Sequence, residues 1–392
     1  MSSNTDFNAL SDADFRKFLE DWLAANYPPE WRQDLRRPFR RLRGDDVVRW
    51  IRMQLEAGLR CPAWPKQYGG RGLDFAKQLV HQEVFEHYGV ARVLDLAETQ
   101  IGPTLMAHGS DAQKAAFIPP MLRGDHTWCQ GYSEPGAGSD LASLKTAAVV
   151  DGDVLRVTGQ KIWTSHAQEA THIFALVRTA KLEKKQQGIS FILAEMNTPG
   201  ITIRPIANLA GEEEFCEVFF DDAKVPLANV VGGLDNGWTV AKALLGHERV
   251  WIGSPGLATR ALWVARQLMQ HHAGDQGLAD AYATVAADLQ DLRSLYRKTC
   301  RDIAGGRQPG PEVSMLKVLQ SELLQRITEL NVELGGPDAL IDGDSVVGNG
   351  PAAMLADYGW QFFMARPGTI FAGANEIQRN VLAKSVLGLG SK

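Results

Sequence analysis

Long hydrophobic runs are absent from this 392-residue chain, and none approaches the roughly 18 residues that a membrane-spanning helix needs. The opening stretch, Met1 to Asp6, has neither the cationic cluster nor the apolar segment of a secretory signal. The four cysteines are far apart and none has C-x-x-C spacing: Cys61, Cys129, Cys216 and Cys300. They predict neither a disulfide framework nor a zinc site. We therefore expect a cytoplasmic protein with reduced thiols.

Neither acidic nor basic residues are in large excess. The chain has 41 basic and 46 acidic residues, which gives a net charge of −5, and 45% of its residues are apolar. Such a mild balance supplies no electrostatic reason to expect a nucleic-acid partner. The arginines between Arg36 and Arg43 form a short basic block. We predict a solvated surface there, with an anion or partner contact as the alternative.

Several familiar site motifs are missing. No G-x-G-x-x-G follows a candidate strand, and no P-loop occurs, so neither a Rossmann dinucleotide site nor a Walker-type phosphate site is indicated. The segment Gly131–Pro135 fails as a nucleophile elbow because Pro135 occupies the position of the second glycine. The pair His271–His272 lacks metal-ligand spacing, so we predict a surface role and no metal site.

Helical periodicity dominates both ends of the chain. Ser11 and Asp14 resemble a capping box before apolar residues at helical spacing, and residues 11 to about 125 are predicted to be mostly helical. Further helices in that region are predicted near 47–55, 74–89 and 93–108. From Asn236 onward the predicted helices are 237–272, 278–304, 311–334, 351–364 and 375–387.

The middle of the chain has a different pattern, with short segments rich in Val, Ile, Phe and Thr separated by turns. The predicted strands are 145–150, 154–158, 172–178, 188–195, 201–206 and 215–220. This pattern is typical of a small antiparallel barrel or sandwich. We predict an α+β multidomain protein with a helical domain at 1–125, an antiparallel β-barrel at 126–235 and a helical bundle at 236–392.

The most informative segment is Gln130–Asp140, where glycines, a proline and hydroxyl residues lie together just before the β region. A backbone of this kind can approach a ligand closely and offer N–H and O–H donors. An ordinary glycine-rich loop is the alternative explanation for the glycines alone.

Three motifs together resemble the acyl-CoA dehydrogenase family. The first runs from Tyr132 to Thr146 and includes Ser133-Glu134-Pro135-Gly136-Ala137-Gly138-Ser139-Asp140. The second is Gly159–Ser165, and the third is Phe371–Asn380. Their order and spacing match the family over nearly the whole chain. The family fold is a helical domain, a β-barrel and a helical bundle, as the periodicity independently predicts.

The resemblance implies FAD as cofactor, with its ring between the barrel and the C-terminal bundle. Ser133 is implied to donate a hydrogen bond to that ring, with Tyr132 alongside, and Trp163 and Ser165 to lie against it. The implied cofactor-binding positions are Gln130, Tyr132, Ser133, Gly138, Ser139, Trp163, Thr164, Ser165, Gly335, Gly336, Ala374 and Glu376. The implied substrate-binding positions are Ser139, Arg249 and Gly373. Core packing is the alternative role for Trp163.

The resemblance also implies a carboxylate base that removes the α-proton of an acyl-CoA, while the β-carbon loses a hydride to the flavin. Many family members place the base just before the glycine of the third motif, where this chain has Ala372. Glu376 lies at a cofactor-contacting position and is no substitute. A second subgroup places the base before an arginine on a long helix, a pattern that Glu248-Arg249 fits. We predict Glu248 as the base; a surface glutamate is the alternative.

One departure from the family pattern bears on assembly. An arginine near the end of the long helix usually reaches the FAD pyrophosphate of a neighbouring subunit, but residues 271–277 contain none. A mixed tetramer with a related subunit and a homo-oligomer both stay open. A flavin monooxygenase or oxidase of the same fold, or a non-catalytic subunit, are alternative functions. The resemblance implies an electron-transfer flavoprotein as acceptor, and the alanine at 372 weakly favours a bulky or branched acyl group.

Overall fold

The structure is a computed structural model that describes residues 5–31, 38–307, 309–340 and 351–390. The side chains of 245–251, 338, 340 and 351–356 lie outside this description. Helices come first along the chain, an eight-stranded sheet follows, and further helices complete it. The predicted fold class is confirmed.

The N-terminal region is helical, as predicted. Its helices are α1 (Asp12–Asn26), α2 (Asp45–Ala57), α3 (Phe75–Tyr88), α4 (Gly102–His108) and α5 (Asp111–Arg123), with a π-helical turn at Ala97–Ile101 before α4. The Ser11 hydroxyl accepts a hydrogen bond from the backbone N–H of Asp14, so the predicted N-terminal cap is present. Helix α5, which contains Pro119 and Pro120, was not predicted as a separate element.

The middle region forms one sheet. Its strands are β1 (Trp128–Gly131), β2 (Ala147–Asp151), β3 (Val154–Ser165), β4 (His172–Arg178), β5 (Ile189–Glu195), β6 (Ile201–Ile206), β7 (Phe215–Pro226) and β8 (Val230–Val231). The order is β6-β7-β3-β2-β4-β5-β8, and β1 pairs with β4. The first and last strands of this order, β6 and β8, do not pair, so the sheet is open and is not the closed barrel that was predicted. The β1–β4 and β2–β4 pairs are also parallel, not antiparallel.

The C-terminal region is helical again. Its helices are α6 (Gly237–Ile252), α7 (Gly256–Leu268), α8 (Gln276–Ala304), α9 (Ser314–Gly335), α10 (Pro351–Ala365) and α11 (Asn375–Ser385). The prediction of one continuous helix over 237–272 is wrong, because the chain breaks between α6 and α7. Gly253 and Pro255 lie at the break, and proline removes a helix donor and clashes with the preceding turn. No helix within the described ranges is both long and apolar enough to cross a membrane.

A short segment after residue 37 joins the three regions. The Arg40 guanidinium forms a salt bridge with Asp357 in α10. The Arg41 guanidinium lies 2.8 Å from Glu169, which follows β3. The side chain of Arg41 is only 12% exposed, so the predicted solvated surface is wrong at this residue. Residues 36 and 37 of the same block lie outside the described residues.

Candidate active site

The glycine-rich loop begins where β1 ends and is closed by its own backbone. Glu134 and Ala137 exchange two hydrogen bonds, with N···O distances of 3.1 and 3.0 Å. The Glu134 carboxylate accepts hydrogen bonds from the backbone N–H groups of Lys145 (2.6 Å) and Thr146 (2.9 Å). These two hydrogen bonds attach the loop to the residues that directly precede β2.

A buried ion pair connects the first motif to the second. The Lys161 Nζ of β3 lies 2.7 Å from Glu134 Oε1 and also donates to the Tyr132 carbonyl at 3.2 Å. The Ile162 N–H donates to the Ser133 carbonyl at 2.9 Å. Burial opposes ionisation of Glu134, but the Lys161 charge and the hydrogen bonds outweigh it and lower the pKa of that carboxyl. The two motifs therefore form one structural unit.

Trp163 gives this unit an exposed aromatic face. Its backbone is left-handed, with φ of 61°, at a register shift between β3 and β7. Its side chain is 56% exposed although Lys161 and Thr164 of the same strand are buried. The Phe215 ring supports the indole edge-on, with ring centroids 6.0 Å apart. The face can therefore cover the apolar surface of a flat ligand, and the alternative role of Trp163 in core packing is not supported.

Unused polar groups lie near this face. The Gln130 Nε2 atom is buried and has no hydrogen-bond partner within the described residues. The hydroxyls of Ser133 and Ser165 are half-buried and make no hydrogen bond to any described residue. Buried polar groups are normally paired, so unpaired donors beside an exposed indole indicate a ligand with acceptor atoms. A planar ring system carrying nitrogen and oxygen acceptors fits this arrangement.

Two other predicted residues of these motifs, Tyr132 and Thr164, have buried side chains. The Tyr132 ring is buried between Phe174 and Phe191, at centroid distances of 5.9 and 6.3 Å. Thr164 is fully buried within the sheet. The Tyr132 ring therefore contributes to the core, whereas the buried Thr164 hydroxyl has no hydrogen-bond partner within the described residues and stays available to a ligand.

The far end of the glycine-rich loop is open to solvent. Gly138 and Ser139 are both exposed, and a Cβ at Gly138 would meet nothing within 4 Å. The neighbouring Asp140 carboxylate is held by Lys185 at 2.5 Å and by the Ser143 hydroxyl at 2.5 Å. Ser139 thus lies at the exposed edge of the loop and not in its interior. This position would allow it to contact an extended part of a substrate.

Gly335 and Gly336 end helix α9. Gly336 has φ of 65° and ψ of −160°, a conformation that is essentially restricted to glycine. The neighbouring Leu334 carbonyl lies 2.7 Å from the Nε2 atom of His272. His272 therefore lies next to the predicted cofactor-contacting glycines, within the stretch that lacks the family arginine. The sequence-based interpretation missed this contact because it assigned His272 to the surface.

The third motif is anchored to α9. Asn375 accepts a hydrogen bond from Lys317 Nζ at 2.6 Å, and both residues are buried. Gly373 has φ of 85°, and a Cβ there would come 2.2 Å from Gln378 Nε2, so only glycine fits. Ala374 caps α11, and the exposed Glu376 occupies its first turn. Within the described residues, the hydrogen bonds of this motif run to α9 and not to the Trp163 unit.

Glu248 and Arg249 belong to α6, but their side chains lie outside the described residues. The helix itself packs against β5 and α9, and also against α4 and the π-helical turn. It therefore runs between the sheet and the N-terminal helices. Ala372, at the alternative base position, has a left-handed backbone with φ of 53° and carries no titratable group.

Comparison with known proteins identifies the family. The models for the N-terminal, middle and C-terminal domains of acyl-CoA dehydrogenases match residues 9–125, 129–223 and 235–387. The acyl-CoA dehydrogenase IpdE1 of Mycobacterium tuberculosis (strain ATCC 25618 / H37Rv) is 35% identical over 386 residues, covering 96% of this chain and 97% of the relative. The chain belongs to the acyl-CoA dehydrogenase family. The prediction of an oxidoreductase of this family is confirmed.

Two solved structures are similar to this chain over its full length. The Tcur3481-Tcur3483 steroid ACAD superposes with a TM-score of 0.84 at 26% identity, covering 99% of this chain and 100% of that one. The ChsE4-ChsE5 complex from Mycobacterium tuberculosis gives a TM-score of 0.83 at 30% identity, with 100% of both chains covered. Each of these structures is named as a pair of proteins.

Proposed function

We propose that this acyl-CoA dehydrogenase is an FAD-dependent catalyst that converts an acyl-CoA thioester to the trans-2-enoyl-CoA. The observation that carries the proposal is the exposed Trp163 face together with donors of Gln130, Ser133 and Ser165 that have no hydrogen-bond partner among the described residues. FAD, when bound there, supplies acceptance of the hydride from the β-carbon. The indole would cover one side of the ring, and the Ser133 hydroxyl would donate to an acceptor atom of it.

Glu248 is the proposed base. Its carboxylate removes the proton from the substrate α-carbon and retains it while the β-carbon is oxidised. The support is indirect: Glu248 precedes Arg249 on α6, which runs between the sheet and the N-terminal helices, and position 372 is an alanine. Arg249 orients the substrate, Gly373 contacts it, and Ser139 touches its CoA portion at the open rim. Gly335, Gly336, Ala374 and Glu376 would hold the adenosine end of the cofactor.

We also propose a mixed oligomer. The stretch 271–277 has no arginine, and His272 is engaged with the Leu334 carbonyl. The two similar structures are named as pairs of proteins, one of them a steroid ACAD. In the single chain, large apolar side chains are exposed near the C-terminus, at Ile370, Phe371, Leu387 and Leu389. These observations support a related partner subunit, and the steroid ACAD supports a bulky, ring-containing acyl group. The family resemblance supports an electron-transfer flavoprotein as acceptor.

The proposal is tested by purifying the chain with its co-expressed partner, releasing the flavin and assaying acyl-CoAs with a dye acceptor. We expect FAD in the released fraction and dye reduction with at least one acyl-CoA. Release of FMN would contradict the cofactor assignment. Rapid oxygen consumption in place of dye reduction would favour the oxidase alternative.

A non-catalytic subunit is the second candidate function, and the alanine at position 372, where many family members have the base, supports it. If the chain only completes the site of its partner, the complex should keep its activity when Glu248 is replaced by glutamine. The same purified complex therefore separates a catalytic subunit from a non-catalytic one.

A further inference from the structure

The end of strand β3 has a constrained backbone at the proposed flavin-binding face. Trp163 and His166 are both left-handed, with φ of 61° and 53°. This conformation is uncommon for a residue that carries a side chain, and it persists only where the surroundings hold it. Ser165, whose hydroxyl makes no hydrogen bond to any described residue, lies between them. The contacts that hold residues 163–166 therefore also control how these side chains are presented to a ligand.

The sheet supplies only some of these contacts. The His166 N–H donates to the Glu214 carbonyl at 2.7 Å, and Ser165 pairs with Phe215 of β7. These interactions fix the backbone of the segment. The imidazole of His166 and the short turn after it, Ala167–Glu169, are held from outside the sheet.

The outside partner is Arg41 of the N-terminal region. Its Nη2 atom lies 2.9 Å from His166 Nδ1 and donates to Glu169 Oε1 at 2.8 Å. Its Nη1 atom donates to Glu169 Oε2 at 3.0 Å and to the Leu42 carbonyl at 3.3 Å. Each terminal nitrogen of the guanidinium thus makes two hydrogen bonds. Because the guanidinium is planar, its two-point contact with Glu169 fixes its orientation towards the imidazole.

The same contact defines the state of the His166 ring. Arginine can only donate, so Nδ1 must accept and the ring proton lies on Nε2. Nε2 in turn lies 3.9 Å from a carboxyl oxygen of Glu214. Burial, together with the positive charge of Arg41, lowers the pKa of His166 to about 4, so the ring is neutral near pH 7. A neutral ring keeps the lone pair that Arg41 needs.

We propose that Arg41 is a positioning residue that acts through His166 and keeps Trp163 and Ser165 turned towards the flavin. This rests on the proposed function, because it assigns a support of the same cofactor site. A lysine at position 41 would keep the positive charge but could not bind Glu169 and the imidazole in one planar arrangement. The geometry of Arg41, and not its charge alone, is therefore expected to matter.

The test compares Arg41→Gln and Arg41→Lys with wild type in the intact complex. Arg43→Gln is the matched control, since Arg43 lies in the same segment, pairs with Glu212 and has a side chain that is 55% exposed. FAD is removed and titrated back while flavin fluorescence is recorded, because an indole stacked on the flavin ring quenches that fluorescence. We expect both Arg41 variants to bind FAD about tenfold or more weakly and with less quenching. Arg43→Gln should behave as wild type.

The two Arg41 variants separate geometry from charge. A loss in both supports the positioning role, whereas wild-type behaviour of Arg41→Lys would assign an electrostatic effect and overturn it. Equal behaviour of the Arg41 and Arg43 variants, with or without a loss, would overturn it as well. Glu169→Gln is a milder variant that keeps the contact between Arg41 and His166, and it should fall between wild type and Arg41→Gln. It preserves the test if Arg41→Gln does not fold.

Coupling between Arg41 and His166 tests the route of the effect. His166→Asn removes the ring, and asparagine tolerates a left-handed backbone. The double variant should bind FAD no more weakly than Arg41→Gln alone, because both changes break the same contact. Losses that add in full would show that Arg41 does not act through His166.

Amide hydrogen exchange keeps the test independent of the cofactor. With FAD removed, Arg41→Gln should speed exchange at residues 162–169 and leave strand β5 unchanged. Faster exchange along the whole chain would assign a general loss of stability and overturn the positioning role. A local effect in a protein whose released flavin is not FAD would reject the proposed function alone.

Discussion

The Lys161 ammonium group lies 2.7 Å from a carboxylate oxygen of Glu134, and both side chains are buried. The pair joins the glycine-rich loop to the strand that carries Trp163. Glu134 also accepts hydrogen bonds from two backbone N–H groups, so both of its carboxylate oxygens are hydrogen-bonded. A buried pair with this many partners holds the loop and the exposed indole in a fixed relation.

We expect Lys161→Met to destabilise the protein strongly. Removing one partner leaves the Glu134 carboxylate buried without its counter-charge, which costs about 3–5 kcal/mol. Lys145→Met is the matched control, because Lys145 is exposed and contributes only its backbone N–H to Glu134. Chemical denaturation of the two variants measures the difference. Equal stability of both would contradict a structural role for the ion pair.

Replacement of Glu248 by glutamine should reduce turnover. The change preserves shape and hydrogen bonding but removes the group proposed to take the α-proton, so the rate should fall by roughly 10²–10⁴. Flavin content and binding of the product CoA ester should persist. Stopped-flow measurement of flavin reduction reports the step directly. Near-normal reduction would show that Glu248 is a surface glutamate, and loss of reduction in Glu376→Gln with FAD retained would move the base to the third motif.

Flavin occupancy should depend on the partner subunit. Because residues 271–277 offer no arginine to an anionic pyrophosphate, the chain expressed alone should contain little FAD. Addition of the partner should restore occupancy, measured by absorbance of the flavin relative to protein. A homogeneous oligomer of this one chain with full FAD occupancy would exclude the mixed assembly.

Acid stability should depend on His172. Its ring stacks 4.0 Å from His126 and 4.7 Å from Trp128. Burial and the His126 charge lower the pKa of His172 to about 4, and Asp125, Glu195 and Arg123 influence His126. The neutral ring contributes stability that is complete above the unfolded pKa of about 6.5 and is lost as pH falls towards about 4.

The measurement compares melting temperatures of wild type, His172→Phe and His271→Phe at neutral pH and at about pH 5. We expect a smaller acid-induced drop in His172→Phe, because phenylalanine keeps the ring and does not titrate. His271 is exposed, so its variant should follow wild type. A wild-type drop in His172→Phe would assign acid sensitivity to other groups.

Much of the fold could be predicted because each element carries its own local pattern. The strands β4, β5 and β6 have the predicted positions to within one residue, since β-branched and aromatic residues end at clear turn signals. The break between α6 and α7 was missed because apolar spacing continues across Gly253 and Pro255. The periodicity missed the second half of β3, because residues 159–165 lack the simple alternation of a strand.

The candidate site was only partly predictable. Gln130, Ser133, Trp163 and Ser165 were named from motifs, and the structure brings their segments together around the Glu134–Lys161 pair. The burial of the Tyr132 and Thr164 side chains was not foreseen, because a motif does not state which atoms of a residue face a ligand. Lys161, followed directly by the apolar residues Ile162 and Trp163, was the available signal for a buried counter-charge at Glu134.

By itself the sequence determined the order of helices and strands, the family and the absence of an arginine from residues 271–277. These depend on residues close together along the chain, whose spacing and chemistry act locally. Only the tertiary structure decided that Trp163 is exposed and that Arg41 bridges to Glu169. Each of these depends on elements far apart in sequence, because burial and charge pairing are set by which surfaces meet when the chain folds.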